Sequence, residues 1–111
     1  MNDVVVVGAG IVGLTSAARL QEAGAKVAVV TAHEPARTVS AIAAAVWYPS
    51  HIAGDPRVLV WGQRTFEELA EQAVHGVPGV VMRRTRMLLR TPSPEAPWWA
   101  KGVKDFRVAR P

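Results

Sequence analysis

Gly8, Gly10 and Gly13 follow the stretch Val4–Val7 in the order G-x-G-x-x-G. The chemistry this spacing serves is anion binding by the main chain. Gly8 lets the chain turn sharply out of a strand, Gly10 lets a pyrophosphate approach a backbone without a Cβ, and Gly13 lets a following helix press on the strand. A helix opening at Ile11 offers unpaired N–H groups and about half a positive charge to a diphosphate. The motif follows a strand and leads through a helix to a second strand, so it reads as dinucleotide binding and not as a chance cluster of turn glycines. One element of the pattern is missing. The end of the second strand, where an acidic residue usually grips the ribose, holds Thr31, Ala32, His33 and Glu34. Thr31 offers one hydrogen bond to a hydroxyl where a carboxylate offers two, and no arginine stands there for a ribose phosphate. The departure counts against a plain NAD site and gives no NADP reading.

Other chemistries find little support. The chain has no cysteine, which excludes disulfides, thiolate metal sites, iron–sulfur clusters and a cysteine nucleophile, and fits a reducing cytoplasm. His33, His51 and His75 lack ligand spacing, so no metal is expected. No Ser, His and Asp arrangement marks a nucleophile. Arg83, Arg84, Arg86 and Arg90 lie within eight residues of one another. On a strand three of them share one face, which reads as a solvated basic surface and not as a nucleic-acid site. Lys and Arg number five against seven Asp and Glu up to Met82, and eight against two from Arg83 onward. The basic third thus has the sign to pack against acidic parts elsewhere.

The elements that must position the glycines are legible. Val4–Val7 is a β-branched run that does not alternate, the pattern of a strand buried on both faces. Ile11 to Ala23 reads as a helix stopped by Gly24. Lys26–Val30 is a second strand, so strand–helix–strand makes the two strands parallel. Residues 32–54 read as irregular, with one short strand near Ala43–Val46. Asp55-Pro56 reads as a helix start, with Asp as N-cap and Pro at the first position. From there Leu59, Gly62, Phe66, Leu69, Ala70 and Ala73 form an apolar stripe, Glu67, Glu68 and Glu71 fall mostly elsewhere, and the helix ends before Gly76. Gly79–Thr91 suggests one or two strands after a Pro78-Gly79 turn. Residues 92–100 read as loop, with Trp98-Trp99 as core or interface. With 111 residues, half of them hydrophobic, the chain is one domain or a piece of one. No apolar run approaches the roughly 20 residues that span a bilayer, and Met1-Asn2-Asp3 lacks the basic start of a signal peptide.

"VVVVGAGIVGLTSA" resembles the flavin-binding N-terminus of the D-amino-acid oxidases, within the wider group of FAD-dependent amine oxidoreductases. "RTVSAIAAAVWYP", Arg37 to Pro49, is a narrower match: a Thr/Ser cluster, small residues, then Trp and Pro. "WGQRTF", Trp61 to Phe66, is similar to the opening of the family's next helix, and "WWAKGVKDFR", Trp98 to Arg107, to its Trp, spacer, Phe-Arg segment. The resemblance implies an α/β fold: a Rossmann-like βαβ FAD-binding fold, incomplete, with extra helix and strand segments. Residues 1–111 would be the N-terminal part of that domain, with the substrate-binding part largely absent.

The resemblance also implies a set of FAD contacts. Gly8, Ala9, Gly10, Ile11, Val12 and Gly13 match the diphosphate loop. Ala32 and His33 match the positions beside the adenosine ribose, and Thr38, Val39 and Ser40 the cluster near the phosphates. Ala44, Ala45 and Val46 match the stretch along the flavin, and Tyr48 a polar position on the substrate side. The implied chemistry is oxidative deamination of a D-amino acid to a 2-oxo acid, ammonia and hydrogen peroxide. The arginine and tyrosines that hold the substrate in the family come from later segments, so no catalytic residue is assigned and the chain alone is expected to be inactive. Two other readings stand beside this one. The first is a nicotinamide-dependent dehydrogenase fragment. The second is a non-catalytic split module whose unpaired sheet edges make it self-associate or take up a complementary chain.

Overall fold

The computed structural model describes residues 1–49, 55–91, 93 and 95–109; His51 lies outside them. The chain forms two compact units, Met1–Val46 and Trp47–Pro111.

In the first unit β1 (Val4–Val7) leads into α1 (Ile11–Glu22) and returns as β2 (Val27–Val30). The strands pair in parallel with Val4 opposite Val27 and Val7 opposite Val30. The ladder is closed at both ends. The Asp3 N–H donates to Lys26 O at 2.8 Å, and the Gly8 N–H to Val30 O at 2.8 Å. The Asp3 carboxylate also accepts from the Lys26 N–H at 2.9 Å. Helix α1 stops because Gly24 takes a left-handed conformation. Its N–H then reaches Gln21 O and that of Ala25 reaches Leu20 O, which satisfies two terminal carbonyls.

The expectation that β1 is buried on both faces is corrected. Val5 and Val7 are 58% and 84% exposed. Helix α1 packs on the Val6 side of the strands, and a Cβ on Gly13 would stand 3.6 Å from Val6 Cγ1. Paired residues of parallel strands share a face, so the opposite face is that of Val5, Val7, Ala28 and Val30. The buried residues of this unit are small, Ala9 and Ala17. After β2 come a 3-10 turn, Pro35–Arg37, and the single helical turn α2 (Val39–Ile42). The strand expected near Ala43–Val46 is not formed: these residues have no ladder partner, and a strand needs one to satisfy its amides.

The second unit is built on α3 (Pro56–Val74). Its Asp55 N-cap accepts from the Arg57 N–H at 2.9 Å, with Pro56 at the first helical position, as the sequence led us to expect. Leu59, Gly62, Phe66, Leu69, Ala70 and Ala73 are all half-buried, while Arg57, Arg64, Glu67 and Glu71 are exposed. The helix ends at Gly76 in the same way as α1 does at Gly24, with Gly76 N–H on Ala73 O and Val77 N–H on Gln72 O.

Aromatic rings hold this unit together. Trp47 donates its indole N–H to Gly62 O at 3.0 Å and meets Phe66 edge-on at 5.1 Å. Trp99 meets Tyr48 at 5.3 Å and Phe106 at 5.5 Å, again edge-on, the geometry that ring quadrupoles favour.

Two further expectations are corrected here. Val80 turns back to Val77 O, but residues 81–89 form no strand, because among the described residues no neighbouring strand supplies a ladder. The segment read as loop contains a 3-10 helix, Trp98–Gly102, started by Pro97. Its Ala100 is buried, and the Trp99 ring lies against Tyr48 and Phe106. Among the described residues no helix is long and apolar enough to cross a membrane.

Candidate dinucleotide site

The carboxyl ends of β1 and β2 open onto a groove of about 590 Å³ in the first unit. Val7, Gly8, Ala9 and Gly10 form one side of it, Val30, Thr31, Ala32 and His33 the other, and Thr38 lies across the opening. Open parallel sheets bind their ligands at this end, because the loops diverge there and the helix N-terminus points into the gap.

The glycine turn has the shape the spacing requires. Gly8 has φ +103°, a value side chains rarely adopt. A Cβ on Gly13 would run into the Gly8 carbonyl oxygen, so only glycine lets α1 begin this close to the turn. A Cβ on Gly10 would stand 3.1 Å from Ser40 Oγ. The N-cap of α1 is Gly10 itself, and no side chain caps from that position. The first-turn amides therefore lack acceptors within the helix.

Ser40 attends to one of them. Its hydroxyl oxygen accepts from the Ile11 N–H at 3.0 Å, across 29 residues of sequence. A hydroxyl that accepts in this way keeps its own proton to donate. Thr38 differs, since its hydroxyl donates to Pro35 O at 2.7 Å. Thr31 is committed as well: it donates to His33 O at 2.8 Å and accepts from the His33 N–H at 3.4 Å. The Thr31 proton is thus used inside the turn, which leaves its oxygen one lone pair with which to accept from a hydroxyl.

The structure gathers part of the expected set. Gly8, Ala9, Gly10, Ala32, His33 and Thr38 line the groove, and Ser40 touches its helix end. Gly13 packs beneath, against the Gly8 carbonyl and Val6. Ile11 and Val12 contribute their backbone at the helix start, and their side chains are exposed. Val39 begins α2 with its side chain 83% exposed, and Ala44, Ala45 and Val46 are exposed outside the groove lining. Tyr48 belongs to the second unit, where its hydroxyl donates to Met87 Sδ at 3.3 Å. Val7 and Val30 line the groove although the motif does not name them; as the last residue of each strand they were findable from the strand ends alone. Among the described residues no three His, Asp or Glu side chains group as metal ligands do. His75 instead meets Glu71 O through Nδ1 at 3.0 Å.

A diphosphate fits this arrangement. Glycine backbone lines the groove at Gly8 and Gly10, the N-terminus of α1 begins at its edge with Ser40 on the Ile11 N–H, and no Asp or Glu lines the groove. Comparison with known proteins agrees. Residues 3–110 match the family model DAO, FAD dependent oxidoreductase. The chain is 46% identical over 106 residues to the D-amino-acid oxidase of Rubrobacter xylanophilus, covering 96% of this chain and 32% of that protein. It is 38% identical over 84 residues to the D-amino-acid oxidase of Streptomyces coelicolor, covering 73% and 26%. With the D-amino-acid oxidase of Dictyostelium discoideum it shares 28% identity over 113 residues, covering 97% and 32%. The chain thus spans about a third of the length of the curated relatives it matches. No solved structure gives a significant match.

Proposed function

Because the chain belongs to the DAO family of FAD-dependent oxidoreductases, we propose that it provides the Rossmann-like FAD-binding part of a D-amino-acid oxidase. The reaction is oxidative deamination: a D-amino acid, O₂ and water give a 2-oxo acid, ammonia and hydrogen peroxide. When bound, FAD would supply the two-electron acceptor for the substrate's Cα–H bond. The residues of this chain bind and orient. The amides of Val12 and Gly13, at the positive end of α1, would hold the diphosphate. Ser40, held by the Ile11 N–H, would donate its remaining proton to a phosphate oxygen. His33 stands at the ribose end. The small side chains of Ala44 and Ala45, followed by Val46, would let main-chain groups approach the polar edges of a bound flavin.

The observation that carries this reading is the groove at the carboxyl ends of β1 and β2, lined by Gly8 at positive φ and by Gly10, with Gly13 beneath, where a Cβ would collide with the Gly8 carbonyl oxygen. Titration of the protein with FAD, followed by quenching of flavin fluorescence, tests it. Binding is expected in the wild type and is abolished in Gly10→Asp, which places a side chain and a negative charge against the diphosphate. A wild type that leaves flavin fluorescence unchanged, or a Gly10→Asp variant that binds as well as the wild type, refutes the reading. The same preparations supplied with D-alanine or D-proline separate cofactor binding from turnover. We expect no peroxide from these 111 residues by themselves, since the relatives are about three times as long.

A further inference from the structure

We infer that the ribose end of the groove accepts an adenosine bearing a 2′-phosphate as readily as one without, and that His33 sets this tolerance; the inference rests on the dinucleotide reading above. A carboxylate at the end of the second strand grips the ribose hydroxyls and repels a phosphate placed there. In this protein the groove at that end is lined by Thr31, Ala32 and His33. Glu34, the nearest acid in sequence, stands at the N-cap position of the 3-10 turn, makes no side-chain cap there, and lies outside the lining. Thr31 is no substitute ribose donor, because its proton goes to the His33 carbonyl at 2.8 Å. That local turn leaves the His33 side chain exposed at the edge of the groove.

An imidazole either donates a neutral hydrogen bond or carries a positive charge. Both forms suit a phosphate oxygen, and neither repels it. Arg37 ends the 3-10 turn and is not among the lining residues. The groove therefore has no guanidinium fork that would demand the extra phosphate. The site tolerates a 2′-phosphate and does not require one.

Competition against FAD tests this by binding alone. FAD-loaded protein is titrated with adenosine 5′-monophosphate and with adenosine 2′,5′-bisphosphate, which differ by one phosphate, and release is read as recovered flavin fluorescence. The two are expected to displace FAD within about threefold of each other. His33→Glu should weaken the bisphosphate by about tenfold and the monophosphate by less than about twofold, because it sets a like charge beside the added phosphate. His33→Ala, which removes the imidazole without adding charge, should lie between. His33 is exposed, so both variants should fold, which circular dichroism verifies. A wild-type preference of tenfold or more for the monophosphate, or a His33→Glu variant that loses both nucleotides equally, overturns the inference. Failure of FAD itself to bind overturns the dinucleotide reading and this inference with it.

Discussion

Gly13 and Gly62 are both glycines inside helices, and their surroundings are opposite. A Cβ on Gly13 collides with the Gly8 carbonyl oxygen, a backbone atom that cannot swing away; a Cβ on Gly62 would rest 3.8 Å from a carbon of the Trp47 ring, an ordinary contact. In α1 the glycine exists because another piece of main chain occupies the space. In α3 the sequence gives up helix propensity without gaining a close approach at Cβ. The first unit thus carries its candidate site in its backbone, whereas the second uses side chains, chiefly aromatic rings, as a scaffold. A helical glycine marks a site only where the neighbouring atoms leave it no alternative.

Substitutions at these positions should separate the two roles. The largest effect is expected from Gly13→Ala, which forces α1 away from β1. Overpacking against main chain costs at least about 1–3 kcal/mol, so the melting temperature should fall and FAD binding should be lost together. A Gly13→Ala protein that melts and binds like the wild type would erase the contrast. Ser40→Ala comes next. It removes the acceptor for the Ile11 N–H, a cap-like contact worth about 1 kcal/mol. FAD affinity should fall by more than the stability does, since the donor to phosphate is lost as well; isothermal titration beside thermal melting reads both. Gly62→Ala should act in the opposite direction, stabilising α3 by about 0.5–1 kcal/mol with FAD affinity unchanged, provided that the Trp47 ring keeps its bond to Gly62 O.

The smallest effect concerns pH. The Arg57 guanidinium, and then the Arg57 N–H, hold the Asp55 carboxyl below the usual carboxylate range. A carboxyl lowered on folding contributes stability that is present above its unfolded value and is lost as pH falls through the folded one. Helical circular dichroism should therefore be flat down to about pH 4 and decline below it. Asp55→Asn should remove part of that decline, and an identical acid profile in the variant would assign the loss to other carboxyls. The pair is exposed, so the change should be small and should shrink with salt.

Much of this was legible because the signals are local. Val4–Val7, the glycine spacing, Gly24, the Asp55-Pro56 start and the stripe from Leu59 to Ala73 each act through neighbours a few residues away, where steric and capping rules hold without knowledge of the rest of the chain. The shape of the glycine turn belongs to this class, and the family resemblance pointed further, to Thr38 and Ser40. What the sequence could not decide depended on partners. Ala43–Val46 and residues 81–89 carry strand-like composition, yet a strand exists only where a second strand accepts its hydrogen bonds, and among the described residues none does so. The 3-10 helix at Trp98–Gly102 took shape around rings that meet from positions 48, 99 and 106. The hydrogen bond from the Ile11 N–H to Ser40 spans 29 residues, and Thr31 spends its proton on a carbonyl two residues away instead of on a ligand. These were decided by tertiary structure, because a hydrogen bond or a packed ring is fixed by where its partner lies in space, and spacing along the chain gives that position only within a turn or a helix.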